Sequence, residues 1–119
     1  MKLWIDDVRP APGDMFHEWA WCRSVDTAKQ FIEAYEQRKE ELLDEWDFPP
    51  QEIWDMTIEL IDIDHDAGDY VNQGGDYIKL LDWLEETGRN YPIRIHSMNV
   101  VGVANMRAII ERNGWIEIR

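Results

Sequence analysis

Three short polar clusters contain the residues of this 119-residue chain that could do chemistry. They read IDDVRP at 5–10, IDIDHDAG at 61–68 and IHSMN at 95–99. Each cluster follows or ends an apolar run, and together they supply carboxylates, imidazoles and small polar groups. Carboxylates bind hard divalent cations, and imidazoles exchange protons near neutral pH. Metal binding and acid–base catalysis are therefore the chemistries that the clusters predict.

The elements that must position these clusters alternate between strand and helix. Strands are predicted at five apolar runs, 2–6, 19–23, 56–63, 93–96 and 115–118. Helices are predicted at three stretches with helical apolar spacing, 25–46, 77–87 and 100–113. This order predicts a single α/β domain, residues 1–119, with a doubly wound, mostly parallel sheet that has helices on both faces. In such sheets the site lies beyond the carboxyl ends of the strands, where all three clusters fall.

Charge and composition exclude several classes of function. The formal net charge of −13 repels nucleic-acid phosphates, so no broad nucleic-acid surface is expected. Cys22 is the only cysteine, which fits a reducing cytoplasm, the expected location. No apolar run reaches the roughly 20 residues of a membrane span, so no membrane association is expected. The densely acidic helix 25–46 is a candidate contact for a protein partner.

The three clusters together resemble a known family. LWIDDVRPAP (3–12), IDIDHDAGD (61–69) and IRIHSMNVVGVANM (93–106) are similar to the motifs of the cyclic-phosphate-processing receiver-like domains, which derive from response-regulator receivers. The resemblance covers nearly the whole chain. The departures are Ala67, Val100 and an extended acidic helix, and none of them changes a polar residue of the motifs.

The resemblance implies a flavodoxin-like, five-stranded parallel sheet of order 2-1-3-4-5. It also implies that the first helix of a receiver is replaced here by a loop that begins RPAPGD, residues 9–14. In this order the first and third strands are neighbours, as are the third and fourth. The ligand that the resemblance implies is a small molecule containing a cyclic phosphate.

With this strand order, the carboxylates predict a divalent cation. Asp6 or Asp7 would lie close to Asp64, because adjacent strands are about 4.8 Å apart. Two carboxylates at 4 Å repel by roughly 4 kcal/mol at an effective dielectric near 20, so a proton or a cation must bind. Oxygen ligands suit Mg²⁺. Asp66, at the frayed end of the same strand, is a fourth predicted ligand. The alternative is that some of these aspartates cap loops or pair with Arg9.

His65 and His96 are the predicted catalytic pair. They follow or end the third and fourth strands, so the implied order brings them to the same edge of the sheet. An unperturbed imidazole titrates at about pH 6.5, so one ring can be neutral while the other is protonated. Opening a cyclic phosphate needs such a general base and general acid. The alternative for each histidine is an ordinary salt bridge with the neighbouring aspartates.

Four residues are predicted to hold the phosphate. Ser97 and Asn99 precede the helix 100–113, whose free amides also favour an anion, and Asn99 could instead cap that helix. Arg9 offers a bidentate donor fork. Asn105 is included, with a packing or capping hydrogen bond as its alternative. Trp21, on an edge strand, is interpreted as a packing residue, and stacking on a nucleobase is the alternative.

Three functions fit these residues. The first is metal-assisted hydrolysis or opening of a cyclic phosphate, such as a cyclic nucleotide or a 2′,3′-cyclic phosphate end. The second is a signalling receiver that accepts a phosphoryl group on Asp64, but the lysine usual after the fifth strand is not found in WIEIR, 115–119. The third is a pseudo-receiver that sequesters a nucleotide or docks a partner without catalysis. Whether the protein is an enzyme stays open at this point.

Overall fold

Among the described residues, four parallel strands form one sheet. The computed structural model describes residues 1–13 and 19–119. The strands are β1 (Lys2–Ile5), β2 (Trp19–Cys22), β3 (Leu60–Ile63) and β4 (Ile93–Ile95). Their order is β2-β1-β3-β4, and every neighbouring pair is parallel. The carboxyl ends of the strands therefore lie along one edge of the sheet.

Four helices are described, with one 3₁₀ turn. They are α1 (Val25–Glu45), α2 (Gln51–Trp54), α3 (Ile78–Glu86) and α4 (Val100–Asn113), and the turn is Gly68–Tyr70. Local caps define their ends: the Ser24 hydroxyl accepts the Thr27 amide at the start of α1, and Gly114, at φ 65°, ends α4. None of these helices has the length and hydropathy needed to cross a membrane.

The sheet differs from the predicted one in its fifth strand. The predicted strand 115–118 is reduced to an isolated parallel bridge between Ile93 and Glu117. Ile93 donates its amide to Ile116 (2.9 Å) and accepts the amide of Ile118 (2.8 Å). Only this one residue of the short β4 pairs with the segment among the described residues, so a regular ladder does not form there. The prediction of five strands in the order 2-1-3-4-5 is therefore not confirmed. The parallel sheet with its helices is consistent with a receiver-like fold.

The core lies on one face of the sheet. Leu3 and Ile5 of β1 and Ile61 and Ile63 of β3 all belong to it. The helical residues that join the same core are Val25, Ala28 and Ile32 of α1, Leu80, Leu81 and Leu84 of α3, and Met106, Ile109 and Ile110 of α4. The three longer helices thus pack on a single face, which differs from the predicted helices on both faces.

The opposite face carries Trp4, Asp62 and Arg94, because side chains alternate along each strand. In the described part of the β1–β2 connection, residues 6–13 form no helix, which agrees with the loop predicted there. The last residue of the predicted RPAPGD loop, Asp14, lies outside the described residues. Since no described helix returns across this face, polar and aromatic side chains line it next to the carboxyl ends of the strands.

Candidate functional site

Three side chains from the three polar clusters meet at the carboxyl edge of the sheet. Asp6 follows β1, Asp64 follows β3 and His96 follows β4. Ladder hydrogen bonds hold two of these positions, from the Asp64 amide to Ile5 (2.9 Å) and from the His96 amide to Ile63 (2.9 Å). One ligating atom of each side chain lies within 4.8 Å of the others. Asp6, Asp64 and His96 are called the carboxylate–histidine group below.

His96 is held on both edges and on one face. Its Nδ1 lies 2.6 Å from Asp62 Oδ1, and its Nε2 lies 2.9 Å from Asp6 Oδ2. Asp6 and Asp62 are 1% and 2% exposed, so water competes little for these hydrogen bonds. The ring also stacks on the indole of Trp4. The side chain of His96 is therefore fixed in one orientation.

This environment favours the protonated form of His96. A ring can donate from both nitrogens to two carboxylates only as the imidazolium ion. Burial opposes protonation, but the hydrogen bonds and charges of Asp62 and Asp6 outweigh it and raise the pKa of His96 above its ordinary value. The two carboxylates therefore favour a positively charged ring at this position.

Asp6 is held in its ionised form. Its Oδ1 accepts the amides of Val8 (3.0 Å) and Arg9 (2.8 Å), while Oδ2 faces His96. Burial raises the pKa of Asp6, but these backbone hydrogen bonds and the contact with His96 lower it more. The first polar cluster therefore folds into a tight turn around its own first carboxylate.

Asp7 adds a further carboxylate with a higher proton affinity. Burial and the charges of Asp6 and Asp64 raise the pKa of Asp7. Its side chain packs against Gly68, where an added Cβ would overlap Asp7 Oδ2. Gly68 also has a φ of 54°, which glycine adopts readily. The glycine thus leaves the space that this carboxylate occupies.

The donors of the site fit a divalent cation. Asp6 and Asp64 offer carboxylate oxygens, the ligands that Mg²⁺ prefers. While Nε2 of His96 carries a proton it cannot ligate a metal, so the oxygens alone remain. If that proton is lost, Asp62 on Nδ1 and a cation on Nε2 would form a carboxylate–histidine–metal arrangement, which suits Mn²⁺ or Zn²⁺ better.

His65 and Asp66 form a second polar group at the start of α4. Nδ1 of His65 lies 2.9 Å from Asp66 Oδ1 and 3.3 Å from the side-chain Nδ2 of Asn99. The His65 ring packs on the backbone of α4, since a Cβ at Gly102 would lie 2.8 Å from Nε2 and closer still to Cδ2. Asp66 is 61% exposed, and it is not part of the carboxylate–histidine group. The chain turns after β3, which directs these side chains to α4.

Of the predicted phosphate ligands, Ser97 and Asn99 lie at the start of α4, and Asn105 lies further along this helix. Asn99 caps α4 by accepting the Gly102 amide (2.9 Å), and the Ser97 hydroxyl accepts the Asn99 amide (3.1 Å). The capping alternative for Asn99 is therefore present in the structure. Asn105 is exposed on the second turn of α4, and no described hydrogen bond connects it with the two polar groups.

Arg9 is fixed through its backbone. Its amide donates to Asp6, and its carbonyl accepts the indole N–H of Trp4 (2.6 Å). The side chain of Arg9 is exposed. Of the two predicted alternatives for the aspartates, Asp6 therefore shows the loop cap, through the amides of Val8 and Arg9.

Asp62 is a site residue that was not among those predicted from the sequence. Asp62 stands in the middle of β3, where its side chain shares a face with Asp64, Trp4 and Arg94. Its carboxylate binds His96 and lies 3.7 Å from the guanidinium of Arg94. A carboxylate inside an otherwise apolar strand was the signal that could have identified it, because a buried charge requires a partner.

Comparison with known proteins identifies one family. Residues 50–112, more than half of the chain, match the model of the cyclic-phosphate processing receiver domain. The matched region contains Asp62, Asp64 and His96, whereas Asp6 lies before it. No significant match was found among curated proteins or among solved structures.

Proposed function

The chain belongs to the cyclic-phosphate processing receiver family, and on this premise we propose that it binds a cyclic phosphate at the carboxylate–histidine group and opens the phosphate ring by hydrolysis. The observation that carries the proposal is the position of His96 between Asp62 and Asp6, 2.6 and 2.9 Å away. This arrangement keeps a proton donor beside carboxylates that suit a divalent cation. Acid catalysis and charge neutralisation are two of the requirements of the reaction.

Asp6 and Asp64 are the residues that would hold the cation. Their carboxylates lie together at the edge of an acidic protein, so a phosphate would be repelled without a counter-charge. A bound divalent cation supplies this counter-charge and withdraws electron density from the phosphate oxygens. Mg²⁺ is the proposed ion, since the two oxygens fit it while His96 stays protonated.

His96 is the proposed general acid. Asp62 accepts a hydrogen bond from the Nδ1–H group and orients the ring, so the Nε2–H group faces Asp6. In the reaction a water oxygen bonds to phosphorus, one ring P–O bond breaks, and the leaving oxygen takes the proton from Nε2. Asp62 acts through His96, so it is a positioning residue.

Asp7 is the proposed base for the attacking water. Burial and the neighbouring carboxylates raise its pKa, which brings its basicity closer to neutral pH. His65, the other histidine of the predicted pair, contacts Asp66, Asn99 and the α4 backbone instead. We therefore assign His65 to the positioning of the start of α4.

The test is turnover of a panel of 2′,3′-cyclic and 3′,5′-cyclic mononucleotides with Mg²⁺ or Mn²⁺. His96→Gln should lower kcat by about 100-fold or more, the usual effect of losing a general acid. His65→Gln should lower it less, and Arg38→Gln, a remote exposed arginine on α1, should leave it unchanged. Folding of each variant is checked by thermal unfolding.

Four results would count against the proposal or a part of it. A wild-type protein that turns over no member of the panel with any cation rejects hydrolysis. A nucleotide that binds and is recovered unchanged supports the alternative of a binding module. Full activity in His96→Gln removes this residue from the reaction. An adduct on Asp64 after incubation with acetyl phosphate would instead favour the receiver alternative.

A further inference from the structure

A cationic side chain stands at the same edge of the sheet, directly after β2. The guanidinium carbon of Arg23 lies 4.1 Å from the ring centroid of Trp21. Its Nη1 donates to the hydroxyl of Tyr70 (3.2 Å), which belongs to the 3₁₀ turn after β3. The buried Tyr77 donates its hydroxyl to the Arg23 carbonyl (2.7 Å). Side chains from three segments therefore position this arginine.

Trp21 connects Arg23 with the carboxylate–histidine group. The indole N–H of Trp21 donates to the main-chain oxygen of Asp6 (2.8 Å). Trp21 is also the register partner of Trp4, on which the His96 ring stacks. Since side chains alternate along β2, Trp21 and Arg23 point to the same sheet face as Trp4.

Arg23 lacks an acidic partner within the described structure. Among residues 1–13 and 19–119, no carboxylate lies within the 4.0 Å ion-pair distance of its guanidinium. The main chain of Asp6 lies beside the end of β2, since the Asp6 amide donates to the carbonyl of Cys22, the residue before Arg23. A guanidinium stacked on an aromatic ring keeps several N–H donors free, and their geometry suits a phosphate.

We propose that Arg23 is the phosphate-binding residue of this site, held in place by Trp21 and Tyr70. The ligand class is a phosphate ester. That the ligand carries a phosphate is taken from the proposed function, on which this inference rests. For Arg9, the arginine predicted from the sequence, the hydrogen bonds to residues 1–13 and 19–119 are made by its main chain. The guanidinium of Arg23 is instead held by side-chain contacts with Trp21 and Tyr70.

The experiment is isothermal titration with two probes, adenosine 2′,3′-cyclic phosphate and inorganic phosphate, in the presence of Mg²⁺. Arg23→Gln should weaken binding of both probes by about tenfold or more, as expected for a lost hydrogen bond to a charged group. The affinity of Arg23→Lys should lie between those of wild type and Arg23→Gln, because lysine keeps the charge but lacks the planar fork. Arg38→Gln is the matched control and should bind like the wild type.

Binding of Mn²⁺ without phosphate is measured for the same variants, because it reports on the carboxylate–histidine group without a contribution from phosphate. Unchanged Mn²⁺ affinity with weakened phosphate binding supports the proposal. Equal phosphate binding by Arg23→Gln and wild type overturns it, and so does an equal loss of both affinities, which indicates a structural role.

The two proposals fail in different ways. If the wild type turns over a cyclic phosphate and Arg23→Gln does so with the same KM, only the assignment of Arg23 is rejected. If the wild type binds phosphate through Arg23 but turns over nothing, hydrolysis alone is rejected. If the wild type binds neither probe, both proposals are rejected together.

Discussion

The imidazole of His96 lies parallel to the indole of Trp4, with ring centroids 3.8 Å apart and an angle of 2° between the planes. A cation close to a tryptophan face is attracted by the ring quadrupole. Stacking and the two carboxylate contacts therefore act in the same direction and stabilise the imidazolium form. Trp4, which is buried in β1, has a role in the site as well as in packing.

His96 should titrate above its ordinary pKa in the metal-free protein. A raised folded-state pKa means that its stabilising contribution is complete below about pH 6.5 and is lost as the pH rises through the folded-state value. Asp62→Asn removes one charge next to the ring, so the pKa of His96 should fall. The measurement is an NMR titration of the His96 Cε1–H resonance. Asp66→Asn is the control, and an identical pKa in wild type and Asp62→Asn would contradict the role of Asp62.

Cation binding should depend on Asp6 and Asp64 and much less on Asp66. Their carboxylates belong to the carboxylate–histidine group, whereas Asp66 contacts His65. Asp64→Asn should weaken Mn²⁺ binding by more than about tenfold, since even loss of an outer partner of a metal site typically costs that much. Isothermal titration with Mn²⁺ measures the effect, and Asp66→Asn serves as the comparison. Equal losses in the two variants would contradict the assignment of the cation to this group.

Gly102 should resist substitution because of His65. Alanine is favoured over glycine inside a helix by about 1 kcal/mol, but a Cβ at this position would overlap the His65 ring. Gly102→Ala should therefore lower the free energy of unfolding by about 1–2 kcal/mol, a typical cost of overpacking. In a His65→Ala background the same substitution should be neutral or stabilising. Urea unfolding of the four proteins gives the coupling energy, and a value of zero would show that the two residues do not meet.

Glu36 should stabilise the folded protein at pH values at which its carboxylate is ionised. Arg89 donates to both of its oxygens, Nη2 to Oε1 at 2.8 Å, and Tyr91 also binds it. Burial raises the pKa of Glu36, but the Arg89 and Tyr91 hydrogen bonds lower it more. A lowered folded-state pKa gives stability that is present above the unfolded value, about 4.5, and is lost as the pH falls through the folded value.

The check is the difference in unfolding free energy between wild type and Glu36→Gln from pH 7 to pH 3. It should be about 1.5–3 kcal/mol at pH 7, as for hydrogen bonds to a charged group, and should shrink below about pH 4.5. Glu40→Gln, an exposed position on the same helix, is the control and should show little difference at either end of the range. A difference that stays constant with pH would rule out this contribution.

The helices were largely predictable because their signals are local. The predicted helix 100–113 agrees with α4, and the predicted helix 25–46 ends one residue beyond α1. Caps such as Ser24 and Gly114 act through their own side chain or backbone, so neighbouring residues suffice to identify them. The fifth strand was not predictable in this way. Apolar alternation at 115–118 favours a strand, but it does not tell how many residues of the neighbouring strand are available to pair with it.

The sequence by itself determined that the polar clusters follow strands, and so that Asp6, Asp64 and His96 would stand at the carboxyl edge of a parallel sheet. Tertiary structure decided the rest. It placed Asp62 and Trp4 around His96, turned His65 toward α4, and held Arg23 against Trp21. The physical reason is that position along a strand sets the face of a side chain, whereas its rotamer and its partner depend on residues that pack against it from distant parts of the chain.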